Sequence, residues 1–153
     1  MIKTVSPQAK RGGIHKAIYI YMKYFRLEEF TNSETAKRLD IENNPNGSDI
    51  HNIVQLVKNV LDPARKYIGQ PLYITSGYRS RKLNAAVGGV LASQHCTGHA
   101  ADITCSPKQL QLLYNYIANT LDFDQLIYYI GKNFIHVSYV THRTNRKQII
   151  VKI

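Results

Sequence analysis

The densest run of ligand-type side chains in the sequence is Ser93-Gln94-His95-Cys96-Thr97-Gly98-His99-Ala100-Ala101-Asp102. His95 and Asp102 stand seven positions apart, a separation that would turn them to opposite faces of one straight strand. Gly98 can supply a bend that brings both side chains to one point, and the small Ala100 and Ala101 allow close backbone packing beside it. His136, on a strand-like run able to pair nearby, offers a third ligand. Two imidazoles and one carboxylate leave a tetrahedral zinc ion one open position for water, the arrangement of catalytic rather than structural zinc sites. The alternative for the same residues is a hydrogen-bonded loop histidine and a capping or turn acid.

The elements that must position this cluster are legible as periodicity and punctuation. Thr31-Asn32-Ser33-Glu34 offers capping residues for a short helix over 35–39, which Asn43-Asn44-Pro45-Asn46-Gly47 stops. Ile53, Val57, Val60, Leu61, Ala64 and Ile68 recur at helical spacing and predict a helix over 49–67, capped by Ser48 or Asp49 and kinked at Pro63. Residues 72–75 read as a strand, with Ser76-Gly77-Tyr78-Arg79-Ser80 as the loop at its end. Ser106-Pro107-Lys108-Gln109 opens a helix expected over 107–119, with Leu110, Leu113 and Ile117 inward. Two strand-like runs, 125–130 and 134–140, are joined by Gly131-Lys132-Asn133 as a hairpin, with Phe134, His136 and Ser138 on one face. A basic turn (His142, Arg143, Arg146, Lys147) then leads to a closing strand over 148–153. Helices first and strands last define an α+β domain, with an antiparallel sheet covered by helices.

A chain of 153 residues with 44% hydrophobic and 20% charged residues is the size and composition of one folded domain. Residues 1–21 lack a clean period and are read as an extension, with the folded domain over 22–153. The apolar run from Ala17 to Met22 is far shorter than the roughly 20 residues of a membrane span, and no ordinary secretion signal is visible. Two cysteines, Cys96 and Cys105, are too few for a disulfide framework and are expected as free thiols. Twenty Lys+Arg against ten Asp+Glu give a formal charge of +10, which favours polyanionic partners: nucleic acid, an anionic membrane surface or a bacterial envelope polymer.

Ser93-x-His95-x-x-Gly98-x-Ala100-x-Asp102, preceded by Ser76-Gly77-Tyr78-Arg79-Ser80 and followed by Ile135-His136-Val137-Ser138, resembles the M15 peptidases. These are the zinc D-alanyl-D-alanine carboxypeptidases and the L-alanyl-D-glutamate endopeptidases of phage lysins, and the resemblance is to subfamily A of that family, with a hedgehog-like fold. It runs from about Tyr24 to Tyr139 and includes Phe25-Arg26-Leu27-Glu28-Glu29-Phe30, Ser33-Glu34-Thr35-Ala36, Leu83-Asn84 and Phe123-Asp124-Gln125-Leu126-Ile127. It implies one Zn2+ held by His95, Asp102 and His136, Arg79 pairing with a substrate carboxylate or carbonyl, and Ser93 binding substrate or orienting a ligand. Cys96 is not a ligand in that pattern.

Many relatives carry Asp or Glu three residues before the last histidine ligand, where this chain has Asn133; others carry Glu shortly after the Gln-Leu-Ile segment, where it has Tyr128 and Tyr129. An amide cannot take a proton as a carboxylate does. Asp124 is therefore the leading candidate for the general base, ahead of His99 and His142. The resemblance makes the expected activity zinc-dependent cleavage of stem or cross-bridge peptide bonds in peptidoglycan, by a carboxypeptidase or a lysin-like endopeptidase. Anionic envelope polymers are further partners, and a monomer without nucleic-acid partners is expected. The chain would be made in a bacterial cytoplasm, from a bacterial or phage gene, and act on the wall after release. The runner-up is a zinc-binding module, weakened as a catalyst, that recognises wall peptide or a protein partner.

Overall fold

A computed structural model describes residues 21–153; most of the expected extension, residues 1–20, lies outside the described residues. The chain begins with two one-turn helices, α1 (Leu27–Thr31) and α2 (Glu34–Arg38). Ser33 caps α2 by accepting a hydrogen bond from the Ala36 amide at 3.2 Å. Helix α3 (Gly47–Leu56) is capped by Asn46 rather than by Ser48 or Asp49. Asp49 instead closes the box from the third helical position, accepting from the Asn46 amide while Asn46 accepts from its own.

The long helical stretch expected over 49–67 is present but not as one regular helix. Residues Val57–Leu61 form a π-helical turn before α4 (Asp62–Ile68), and Gly69, at φ +70°, ends the run. Pro63 explains the irregularity: it has no amide to give, so the turn before it widens, and the Asp62 amide reaches back five residues to the Val57 carbonyl. The predicted kink is realised as a bulge.

Five strands follow: β1 (Tyr73–Ser76), β2 (Ala100–Thr104), β3 (Gln125–Tyr129), β4 (Phe134–Ser138) and β5 (Gln148–Lys152). Between β1 and β2 lie helix α5 (Arg81–Ala86) and a 3-10 turn (Gln94–Thr97); α6 (Pro107–Thr120) joins β2 to β3. The sheet order is β1-β2-β4-β3-β5, antiparallel except for the parallel pair β3–β5. The sheet is thus mixed, where an antiparallel one was expected. After β4 the neighbouring edge is already held by β2, so the chain must skip over β3. The segment 139–147 turns back at the end where β3 begins, tied there by Lys147 and Gln148 amides to the Phe123 and Asp124 carbonyls. From that end β5 can only run alongside β3 in the same direction.

Ala101, Ile103, Leu126, Ile135 and Val137 share one face of the sheet and are fully buried against the helices. That core includes Ile53, Val57, Leu61, Leu113 and Ile117, and Tyr128 stacks on Tyr114 of α6 at 5.0 Å. The residues of opposite parity, Asp102, Ile127, Tyr129, Phe134 and His136 among them, point to the other face. That second face carries the candidate site.

Candidate metal centre

Asp102 and His136 are direct cross-strand partners on β2 and β4, a register that places their side chains side by side. His136 Nδ1 lies 2.9 Å from Asp102 Oδ1. His95 arrives from the 3-10 turn rather than from the strand, which is how residues seven apart come to face the same point. Gly98 ends that turn at φ +75°, and a Cβ there would fall 2.3 Å from the Asp49 carbonyl oxygen, so the bend admits glycine alone. His95 Nε2 then stands 3.3 Å from Asp102 Oδ1.

The three ligand atoms all lie within 4.8 Å of one another. A tetrahedral zinc ion with bonds of about 2.0–2.1 Å holds its ligand atoms roughly 3.3 Å apart, so the donor set fits such an ion by chemistry and by spacing. The tautomer also fits. His95 Nδ1 is 2.7 Å from the Gly77 carbonyl oxygen, which can only accept, so the proton sits on Nδ1 and Nε2 keeps its lone pair. Burial raises the Asp102 pKa, but the hydrogen bond from His136 and the polar surroundings beside it outweigh that and hold the carboxyl below the usual carboxylate range, ready as an anion.

Arg79 approaches the same carboxylate from the loop after β1, with Nη2 3.7 Å from Asp102 Oδ2. Its guanidinium is anchored by Nε to Ser76 Oγ at 3.1 Å and by Nη1 to Asn84 Oδ1 at 3.4 Å, and its amide donates to the His95 carbonyl. Ser93 caps the 3-10 turn, its Oγ accepting from the His95 amide at 3.3 Å. In this position it orients the turn that carries His95.

The remaining sequence candidates fall outside this convergence. Asp124 is fully buried and does not line the cleft. Its carboxylate accepts from Arg143, from the Arg146 side chain and amide, and from Gln94 Nε2 at 2.9 Å. Burial raises its pKa, yet these bonds win and hold it far below the usual range. His99 sits half-buried, with Nδ1 2.7 Å from Thr97 Oγ1 and its ring edge-on to His142; burial and then the neighbouring His142 lower its pKa. Cys96 and Cys105 are buried, unpaired thiols, both pushed up by burial. Asn133 occupies the hairpin at φ +55°, a conformation that asparagine tolerates, and its amide donates to Thr104 Oγ1 at 3.4 Å.

Asn43 and Gln94 are the residues that sequence reasoning missed. Buried Asn43 donates to the Thr31 and Tyr78 carbonyls and accepts from the Ser80 amide at 2.7 Å, clamping the backbone on both sides of Arg79. Gln94 ties the turn that carries His95 to Asp124. Neither leaves a local signal, because the partners that matter stand 30 or more residues away in the sequence.

The site opens into a cleft of about 870 Å³. Its walls carry Arg79, Lys132, Arg143, Arg146 and Lys152, and Asp102 is the only acid among the described residues that line it.

The family model for Peptidase M15 matches residues 23–138, a span that contains His95, Asp102, His136 and Arg79. A five-stranded sheet flanked by helices, carrying a His-Asp-His cluster, accompanies that match. The chain belongs to the M15 peptidase family, whose members are zinc-dependent metallopeptidases. No curated protein matches the sequence.

Proposed function

We propose that this chain is a zinc-dependent peptidoglycan peptidase that cleaves stem or cross-bridge peptide bonds, with His95, Asp102 and His136 holding one zinc ion. The observation that carries the reading is the convergence of two imidazole nitrogens on one carboxylate oxygen, 2.9 and 3.3 Å away, at the edge of an open cleft. The peptidase domain would span 22–153, since Met22 is buried in the core and β5 completes the sheet.

When bound, zinc supplies a Lewis acid that polarises the scissile carbonyl and acidifies a water. The chain's own groups do the rest. Gly77 holds the His95 tautomer through Nδ1. Arg79, already fixed by Ser76 and Asn84, presents its outer N–H groups to a substrate carbonyl or carboxylate, a task suited to a planar, permanently charged fork. Ser93 orients the His95 turn. Asp124 holds two arginines and a glutamine in place; with both oxygens occupied and its pKa depressed, we assign it no proton transfer. The formal charge of +10 supports adhesion to anionic envelope polymers.

A second reading, a zinc-binding module with little turnover, draws on the same cleft. Asp102 alone among the described lining residues is acidic, and a ligand cannot also serve as the base. Release of new amino termini from purified peptidoglycan, followed by mass spectrometry of the products, tests both. The peptidase reading expects release by the native protein and none after His95→Ala or chelation; stoichiometric zinc without release would establish the module instead.

A further inference from the structure

Two guanidinium groups and one buried carboxylate meet at the wall of the cleft, and the charges do not cancel. Asp124 carries one negative charge against the two positive charges of Arg143 and Arg146, which leaves a net positive charge of one. The carboxylate is fully buried, whereas the Arg143 and Arg146 side chains are 41% and 49% exposed and line the cleft. Arg143 gives Nη1 and Nη2 to Asp124, and Arg146 gives Nε, Nη2 and its backbone amide. Arg143 Nε and Arg146 Nη1 donate to nothing among the described residues.

The bland reading, an ion pair that only secures the loop before β5, accounts for one arginine. It does not account for a second one or for the placement of both in the cleft. Among the described residues, no acid other than Asp102 of the metal centre lines the cleft. Lys132 and Lys152 line the same cleft, their ammonium groups 5.7 and 5.3 Å from the centre of the Tyr129 ring, so this wall is cationic as well. Arginines pinned from behind by a buried carboxylate are pre-organised, and an incoming anion has less side-chain freedom to freeze. Gln94 connects the pair to the metal centre, because its side chain binds Asp124 and the next residue is His95. Both arginines lie beyond the span matched by the family model.

We propose that Arg143 and Arg146 form a second anion subsite of the cleft, which binds a substrate carboxylate set apart from the scissile bond. The substrate class is then an acidic peptide with a free side carboxylate, in addition to any group read by Arg79. This rests on the proposed peptidase function for the choice of peptide but not for the subsite itself.

The test is binding of a fluorescent peptidoglycan stem pentapeptide to the metal-stripped full chain, so that nothing is consumed. The α-carboxylate of its D-glutamate is either free or amidated. The free acid should bind about tenfold tighter than the amide, as charge-assisted bonds to a fixed guanidinium allow. Arg143→Gln and Arg146→Gln should each reduce that ratio to about threefold or less and change affinity for the amide by no more than about twofold. Should either variant fail to fold, side-chain Nε–H resonances of the native protein decide: those of Arg143 and Arg146 shift with the free acid and not with the amide. Equal affinity for both peptides, or unmoved resonances at saturation, overturns the proposal. So does a poly(glycerol phosphate) that displaces the free-acid peptide at lower phosphate concentration than the peptide itself requires, which would make the subsite a polymer contact. Cleavage without the preference sinks the subsite alone; preference without cleavage sinks the peptidase reading alone.

Discussion

Asp102 and His136 sit directly opposite each other on β2 and β4, and Oδ1 of the one lies 2.9 Å from Nδ1 of the other. The antiparallel register alone fixes this pair, so both side chains are placed by backbone hydrogen bonds before any metal arrives. The third member is held differently. His95 depends on the Gly77 carbonyl, and a Cβ at Gly77 would fall 2.5 Å from the backbone of Phe30. Gly77→Ala must therefore displace that carbonyl. Zinc affinity should fall about 10–100-fold, the usual effect of losing a partner behind a ligand. Competition with a fluorescent chelator measures it, and unchanged affinity would show that Gly77 does not set the His95 ring.

Asp124 predicts an acid limb of stability. Burial raises its pKa, but Arg143, Arg146 and Gln94 pull it well below the ordinary carboxylate value, so the unfolded chain takes up the proton first. The stabilisation is complete above about pH 4 and is lost progressively as pH falls further toward the folded-state value. Asp124→Asn leaves two arginines without their counter-ion and should cost about 3 kcal/mol at neutral pH. Urea unfolding from pH 2 to 7 should show the native protein and the variant converging at the acid end. Parallel curves would remove Asp124 from the acid dependence.

Legibility from sequence followed the range of the forces involved. Helix α6 was readable because Ser106, Pro107 and Gln109 signal its start within four residues and Leu110, Leu113 and Ile117 mark its buried face. The hairpin was readable for the same reason, its turn chemistry being confined to Gly131 and Asn133. The three ligand types in the cluster were visible as residue types. Their meeting point required the β2–β4 register and the 3-10 turn, which are tertiary facts. Misreadings arose where a distant element decided the outcome. β5 runs parallel to β3 because β2 had already taken the edge of β4, and no residue in 148–152 records that. Asn43 looked like a helix stop, yet its work is done against Thr31, Tyr78 and Ser80.

Asn43 accordingly controls Arg79 at a distance. Asn43→Ala leaves the Tyr78 carbonyl and the Ser80 amide without their partner in a buried setting, which should cost about 2 kcal/mol. The loop that presents Arg79 would loosen with it. If Arg79 binds substrate, Asn43→Ala should raise KM several-fold at unchanged zinc content, and Arg79→Lys should lower kcat/KM about 100-fold by losing the fork geometry. Steady-state kinetics beside metal analysis checks both. A KM that stays fixed while stability drops would confine Asn43 to a structural role.

Asn133 offers the sharpest trial of the peptidase reading. Its amide reaches Thr104, which lies two residues along β2 from Asp102 on the same sheet face. The left-handed backbone at φ +55° accepts aspartate about as well as asparagine, and Asn133→Asp adds a carboxylate without a change of shape. General-base catalysis contributes about 10²–10⁴-fold where geometry is right. A base placed one step off should still raise kcat about tenfold. It should also introduce a rise in rate between about pH 4 and 6 as the new acid ionises. Hydrolysis of a defined stem peptide by the two proteins across that range measures the effect. An unchanged rate would mean that the native cleft already moves the proton by another group, and no gain from zero would favour the binding module.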